Sequence, residues 1–443
     1  MAKMDLIEYI KKKLNMKDEL WKQGDFFVLY DKNEKPIGVE SYGSYNNSIG
    51  KLKDDEQISQ EPLYNDDDLG DDIDGVRIKM FFRIASRFFP DLIEQKQNNE
   101  NCSYVTNADS LLADGYVPSK FSALISEQYG DSFKGIAEEL SCRLLNFYGS
   151  PTVYYKTIYD RVKKGVDFKI NPLTVSIDFL RTGEDLMSVS DYLFYYTKKH
   201  LFDYEFTNIR SILEGCDYVF KNHQAKVEGK SLSPLLVERR KGLSNGEKDE
   251  VAYAMLLRKY CLGDSDFYSE NMGLIINEEA KKIKLAPAYD FEFCFKKLSN
   301  AELRERVLIA YKNGENIHDV IVEEQYMHGQ NLRNMLEDLM FLKQEYPSVL
   351  VRFIGKTEDL LKSQSNGVSI LDELLESSFA NPPILTHNEK FYWDNEVALP
   401  ISDEEKTHIK KEIKDNFLLM KLMCEDVMQN GNYIYLENLE ATQ

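Results

Sequence analysis

The stretch CLGDSDFYSENMGLIINEEAKKIKLAPAYDFEFCF, Cys261 to Phe295, decides how the whole chain is read. It follows a helix expected over Glu247–Tyr260, whose apolar stripe of Val251, Ala254 and Met255 is interrupted by Arg258, leaving one buried face and one wet edge. A loop then presents Asp264 and Asp266, with Asn271 five residues beyond Asp266. Gly273–Ile276 reads as a strand, Asn277–Lys281 as a turn and Lys282–Leu285 as the return strand, after which come Pro287 and Asp290. Asp-x4-Asn, a β-hairpin and a further Asp form the layout used by phosphoryl transfer. There one carboxylate orients the attacking hydroxyl, while an amide oxygen and a second carboxylate hold Mg²⁺ against the nucleotide phosphates. Mg²⁺ requires hard oxygen ligands, and the hairpin offers a way to bring Asn271 and Asp290 to one ion. Asp-x4-Asn alone arises by chance in an acidic chain and then describes a loop with an Asx-turn; the helix, hairpin and second Asp lift it above that.

These residues resemble the catalytic region of the HipA-like serine/threonine kinases, in which a GNxDxHxxN-type loop precedes a hairpin and an LxPxYD element. The corresponding residues are GDSDFYSEN and LAPAYD. The resemblance implies Asp266 as the catalytic Asp, with Asn271 and Asp290 as metal ligands. The sequence departs from the pattern at Asp264, where the family often has Asn, and at Tyr268, where it often has His, but no ligand is lost.

Upstream lie YVPSKF at Tyr116–Phe121 and IAEELSCRLLNFYG at Ile136–Gly149. In such kinases a strand lysine binds the α/β-phosphates and a helix glutamate supports it, which implies Lys120 with Glu138, Glu139 being the neighbouring candidate. Taken singly, Lys120 would be an exposed strand lysine and Glu138 a solubilising helix residue. The strand expected at Leu173–Leu180 occupies the place of the inter-lobe hinge, so the backbone around Ser176–Phe179, Asp178 included, is expected to meet the adenine. The place of the phosphate loop is held by VTNADSLLADG, where Asn107, Ala108 and Ser110 are small or polar but no glycine appears until Gly115. Ser110 is accordingly a nucleotide-side candidate.

The resemblance covers residues 107–295 and implies an α+β, bilobal protein-kinase-like fold with a small mixed N-lobe and a large, mostly helical C-lobe. The expected division is an amino-terminal helix, strand pair and acidic loop over 1–103, an N-lobe over 104–185, and a helical C-lobe over 186–443 with the catalytic segment at 263–295. The implied activity is ATP- and Mg²⁺-dependent transfer of the γ-phosphate to Ser or Thr of a protein substrate. In HipA-like systems the kinase is often a toxin restrained by a small DNA-binding antitoxin, and the resemblance extends that expectation to this chain. Two other readings stay open: a kinase-fold binding or regulatory protein, and a kinase-like enzyme acting on a small molecule.

Composition fits a folded protein. Of 443 residues, 43% are hydrophobic and 12% aromatic, with 27 Tyr and 24 Phe, too much apolar material for a disordered chain. Fifty-five Lys and Arg against 75 Asp and Glu leave a net charge of −20, which disfavours direct nucleic-acid binding. No membrane span or leader is apparent, so a soluble cytoplasmic protein is expected. The six Cys are scattered without a CxxC pair and the six His never pair at i, i+3 or i, i+4, which removes zinc and Cys/His nucleophile chemistry from consideration.

Elsewhere, Asp5–Gln23 reads as an amphipathic helix, and Phe26–Tyr30 with Ile37–Glu40 as a strand pair. The acidic run Asp66–Asp74 fails as an EF-hand, because position 6 from Asp66 is Asp71 rather than Gly and position 12 is Arg77. Ile78–Phe89, apolar with Lys79, Arg83 and Arg87 interleaved, reads as a helix with a basic outer face. Gly115–Phe121, Thr152–Tyr159 and Leu173–Leu180 read as strands and Ser132–Tyr148 as a helix. Beyond Asp185 the periodicity is helical, through Val189–Tyr204, Asn208–Asn222, Pro234–Lys241 and most of Ala301–Asn430.

Overall fold

A computed structural model of the chain describes residues 26–30, 36–41, 59–60, 79–86, 89–98, 101–118, 120–127, 132–164, 167–181, 183–192, 208–227, 241–264, 271–277, 280–296, 298, 301–364, 367–379, 384–386, 390–392 and 402–430. The helix expected at Asp5–Gln23, the acidic run and most of Pro234–Lys241 lie outside these residues, as does the part of Val189–Tyr204 beyond Tyr192. The chain is mixed α/β and divides into two compact units, one of Met1–Glu184, Pro287–Glu292 and Glu376–Ser402, the other of Asp185–Ala286, Phe293–Leu375 and Asp403–Gln443. Both later stretches of the first unit fall inside residues 186–443, expected as a helical C-lobe with the catalytic segment at 263–295.

In chain order the first unit holds β1 (Phe26–Tyr30), β2 (Pro36–Ser41), β3 (Ser59–Gln60), β4 (Lys79–Ala85), α1 (Pro90–Asn98), β5 (Tyr104–Val105), α2 (Asp109–Ala113), β6 (Lys120–Glu127), α3 (Ser132–Tyr148), β7 (Thr152–Val153), β8 (Tyr155–Lys164) and β9 (Asp167–Ile177). The second unit follows with β10 (Asp185–Ser188), α4 (Val189–Tyr192), α5 (Ile209–Val227), α6 (Asn245–Met255), a π-helical turn (Leu256–Cys261), β11 (Gly273–Asn277), β12 (Lys282–Leu285), α7 (Ala301–Asn313), α8 (Ile317–Glu345) and α9 (Pro347–Leu361). The chain closes with α10 (Ile370–Phe379), β13 (Ile384–Thr386), β14 (Lys390–Tyr392) and α11 (Asp403–Gln429).

The first unit is organised by a seven-stranded sheet in the order β14-β13-β8-β9-β6-β4-β3. Its β4, β6, β9 and β8 pair antiparallel with one another, and β13 joins β8 in parallel. Helix α3 lies on β8 and β9 because its sequence buries a stripe of Ile136, Ala137, Leu140, Leu144, Leu145 and Tyr148. Gly135 permits the close approach, since a Cβ there would stand 3.1 Å from Thr157 Cγ2. Below the helix, Phe89, Phe121, Tyr104 and Tyr154 meet edge to face, the closest pair being Tyr104 and Tyr154 at 5.1 Å between ring centres.

Several strand boundaries depart from the sequence reading. Ile78–Phe89 is not a helix: residues 79–85 form β4, paired with β6 from Lys79↔Ser126 to Ala85↔Lys120. The alternation of Met80, Phe82 and Ile84 with Lys79 and Arg83 is a period of two, and the sheet partner decided between it and the helical reading. The strand expected at Gly115–Phe121 begins only at Lys120, because Gly115 sits in a turn at φ +79° and Pro118 has no amide hydrogen to give a ladder. The expected strand Thr152–Tyr159 is broken at Tyr154 into β7 and β8. The strand expected to reach Leu180 stops at Ile177, where the Asp178 carboxylate accepts the Leu180 N–H at 2.9 Å in an Asx-turn.

In the second unit β10, β11 and β12 form an antiparallel sheet, with β11 central and fully buried through Leu274 and Ile275. Helix α11 is the hub of the bundle and packs on α7, α8, α9 and the π-helical turn. It buries Phe417, Met420, Met423 and Val427 on that face. Among the described residues no helix is long and apolar enough to cross a membrane.

Candidate functional site

Helix α3 carries adjacent glutamates with different surroundings. Glu139 is turned onto β8, where its Oε2 accepts the Thr157 N–H at 2.8 Å. Its Oε1 receives Lys156 Nζ at 3.0 Å and Arg143 Nη2 at 2.8 Å. Arg143 also reaches Asp91 at 3.2 Å, and Asp91 accepts the Tyr154 hydroxyl at 2.7 Å. Burial by itself would raise the Glu139 pKa, but the charges of Lys156 and Arg143 and the Thr157 N–H overcome it and hold the carboxyl below its ordinary range. Glu139 is thus fully engaged in the core. Glu138 is also buried, at 5% exposure, and its negative charge bears on Tyr155.

The Tyr155 hydroxyl meets Asp290. The segment after the hairpin runs beside β7: Ala288 donates its N–H to Pro151 O at 2.8 Å, and its own carbonyl accepts from Val153 at 3.0 Å. Asp290 then turns into the left-handed region at φ +60°, a conformation that Asp tolerates better than most side chains. Its N–H donates to the Tyr155 hydroxyl at 3.1 Å. On either side Phe291 packs edge to face on Tyr155 at 5.7 Å, and Tyr289 stacks on Phe179 at 6.3 Å. Burial, then the negative charges of Glu138 and Asp290, push the Tyr155 pKa well up, so the phenol stays protonated. The charges of Glu138 and Asp290, candidates from separate parts of the sequence, thus both bear on one buried phenol.

Asn107 and Asp178 also meet. The Asn107 N–H donates to Asp178 O at 2.9 Å and its Nδ2 donates to Asp178 Oδ2 at 3.2 Å, which fastens the segment expected as the phosphate loop to the end of β9. That segment is folded as the short helix α2, with Asp109 Oδ1 accepting the N–H and hydroxyl of Thr106, and Ser110 is exposed on its surface. Lys120 opens β6 opposite Ala85; only its backbone is described. Asp266 lies outside the described residues.

In the second unit Asp264 and Asn271, which flank residues 265–270 in sequence, are gripped by one guanidinium. Arg258, in the π-helical turn, donates through Nε at 2.9 Å and Nη2 at 2.6 Å to Asp264 Oδ2, and through Nη1 at 3.3 Å to the carbonyl of Asn271. The side chains of Arg258 and Asp264 are 3% and 1% exposed, so the pair is dry. The interruption of the apolar stripe at Arg258 is therefore not a wet edge. Gly263, at φ +58°, provides the sharp turn that brings Asp264 back to Arg258. From α11, Asn416 Nδ2 donates to the carbonyls of Tyr260 and Cys261 at 3.0 and 2.9 Å, groups at the end of the turn. Asp338 ties the outer side of the turn by accepting Lys259 Nζ and the Ile209 N–H, each at 2.9 Å.

The sequence reading missed Arg258 as a clamp, Tyr155 as a meeting point, and Asn416. A buried cation can be suspected from an arginine inside an apolar stripe followed at six residues by an aspartate. Tyr155 and Asn416 carry no comparable local signal, since their partners are distant in sequence. Among the described residues there is no cluster of three His, Cys, Asp or Glu side chains able to hold a metal. The donor set read from sequence, the Asn271 amide and the Asp290 carboxylate, is all oxygen and suits Mg²⁺ rather than zinc.

No family model matches the chain, and no curated protein matches it. Among solved structures, the crystal structure of a Helicobacter pylori proinflammatory kinase, CtkA, is similar at a TM-score of 0.38 and 12% identity, over 69% of this chain and 91% of that one.

Proposed function

We propose that the chain is an ATP- and Mg²⁺-dependent protein kinase that transfers the γ-phosphate to a Ser or Thr hydroxyl. The observation that carries this reading is the Asp290 N–H donating to the Tyr155 hydroxyl at 3.1 Å, on a buried phenol that also feels the negative charge of Glu138, because a phosphotransferase of this layout needs its helix glutamate and its metal-binding aspartate in one neighbourhood. In this reading Lys120 binds the α/β-phosphates with Glu138 beside it, Ser110 and Asp178 lie on the nucleotide side, and Asn271 and Asp290 are the metal ligands. Bound Mg²⁺ would neutralise charge on the phosphates. Asp266 orients the acceptor hydroxyl and takes its proton as the oxygen attacks the γ-phosphorus and the bond to ADP breaks. Catalysis is then mainly positioning and charge stabilisation. The partner in this proposal is a protein substrate, with a small DNA-binding protein as restraint; the net charge of −20 assigns any grip on DNA to that partner.

Incubation of the pure protein with Mg²⁺ and γ-labelled ATP, alone and with cell extract, tests the reading. Label is expected on this protein or on an extract protein and is lost in Asp266→Ala. Label confined to a small molecule would move the substrate class. Absence of both transfer and calorimetric Mg²⁺-ATP binding would leave a kinase-fold binding protein.

A further inference from the structure

Tyr155 belongs to none of the roles assigned above, yet its hydroxyl is where three segments meet. Ser176 hydrogen-bonds it from the directly opposed position on β9, the backbone N–H of Asp290 donates to it at 3.1 Å, and the charge of Glu138 on α3 bears on the same phenol. The ring is held independently, by its position at the start of β8 and by Phe291 packed edge to face upon it. A rigid ring thus presents a fixed acceptor to the amide of Asp290, a non-glycine residue in the left-handed region.

The chemistry follows from that geometry. A left-handed φ at an aspartate is not the conformation its side chain prefers, so something outside the residue must hold it. The amide is committed to the phenol oxygen, and the preceding residues are committed to β7 through Ala288. With φ fixed at +60°, the direction of the Cα–Cβ bond of Asp290 is fixed as well. We propose that Tyr155 is a positioning residue for Asp290, holding the backbone that presents its carboxylate to the divalent cation of the nucleotide complex. This rests on the kinase reading, in which Asp290 is a metal ligand. Groups one bond removed from a ligand set its orientation, and their loss typically weakens metal binding by about 10- to 100-fold.

Tyr155→Phe removes the hydroxyl and keeps the ring that packs on Phe291. Binding of Mn²⁺·ADP, followed by electron paramagnetic resonance of the bound ion, should weaken by about tenfold or more in Tyr155→Phe. The Mg²⁺ concentration for half-maximal transfer should rise by a similar factor, while the rate at saturating Mg²⁺ changes much less. In an Asp290→Asn background the same Tyr155 substitution should cost no further Mn²⁺ affinity, because the residue it positions has lost its charge. Leu360→Val, in the buried face of α9 and away from every residue given a role, serves as the control for general destabilisation and should leave Mn²⁺·ADP binding unchanged. Equal Mn²⁺·ADP affinity in the wild type and Tyr155→Phe, with Asp290→Asn weakened, would overturn the inference and leave the kinase reading standing. Loss of affinity in Leu360→Val as large as in Tyr155→Phe would overturn it too. No Mn²⁺·ADP binding by the wild type would overturn both.

Discussion

The two segments that carry the proposed chemistry are fixed by opposite means. Asp264 and Asn271, on either side of Asp266 in sequence, are joined by charge: a buried guanidinium holds the Asp264 carboxylate with two bonds and the Asn271 carbonyl with a third. The Asp290 segment is held by neutral groups, a strand-like pairing at Ala288 and a phenol at its amide. A buried ion pair is unforgiving, since either charge without the other is left in a dry site. A neutral hydrogen bond exchanges with water at little net cost, so it sets geometry without dominating stability. Stability and function should therefore separate at the second segment and fail together at the first.

The sharpest way to break this contrast is Arg258→Met. It strands the Asp264 charge and should destabilise the protein by about 3–5 kcal/mol, read from urea unfolding. Restoring much of that loss by adding Asp264→Leu would confirm that the stranded charge, and not the lost packing, is responsible. Glu139→Gln should cost about 3 kcal/mol at neutral pH by releasing Lys156 and Arg143. Its pH dependence sharpens the point. The folded pKa of Glu139 is depressed below its ordinary value of 4.5, so its contribution is full above that value and is lost as pH falls through the folded pKa. Urea midpoints measured from neutral to acid pH should consequently fall less steeply in Glu139→Gln than in the wild type.

Smaller effects follow. Asn416→Leu removes the donors to the Tyr260 and Cys261 carbonyls and should cost about 1–3 kcal/mol in the same assay. Tyr155→Phe should cost only about 1 kcal/mol of stability. A loss as large there as in Arg258→Met would erase the distinction between the two modes of holding.

What the sequence made legible is what depends on near neighbours. Ser132–Tyr148 is a helix and Lys282–Leu285 a strand over the expected residues, because each carries its own periodicity. Ile78–Phe89 reads as a helix on its own pattern, yet residues 79–85 form a strand through β6, a partner some forty residues away. The candidate site divides similarly. Asp266, Asn271 and Asp290 stand out through spacing and resemblance, whereas nothing near Tyr155 in the chain announces that its hydroxyl will take the Asp290 N–H. Adjacent Glu138 and Glu139 could not be told apart until Lys156, Arg143 and the Thr157 N–H were seen to claim Glu139.

The central claim is that these differently held segments serve one phosphoryl transfer, and single-turnover transfer from γ-labelled ATP in Asp266→Ala, Asp290→Ala and the double variant tests it most directly. Residues acting in one step are not additive. Each single variant should lose most of the rate, and the double should be no slower than the slower single within a few-fold. Transfer at the wild-type rate in Asp290→Ala, with the loss confined to Asp266→Ala, would contradict the account.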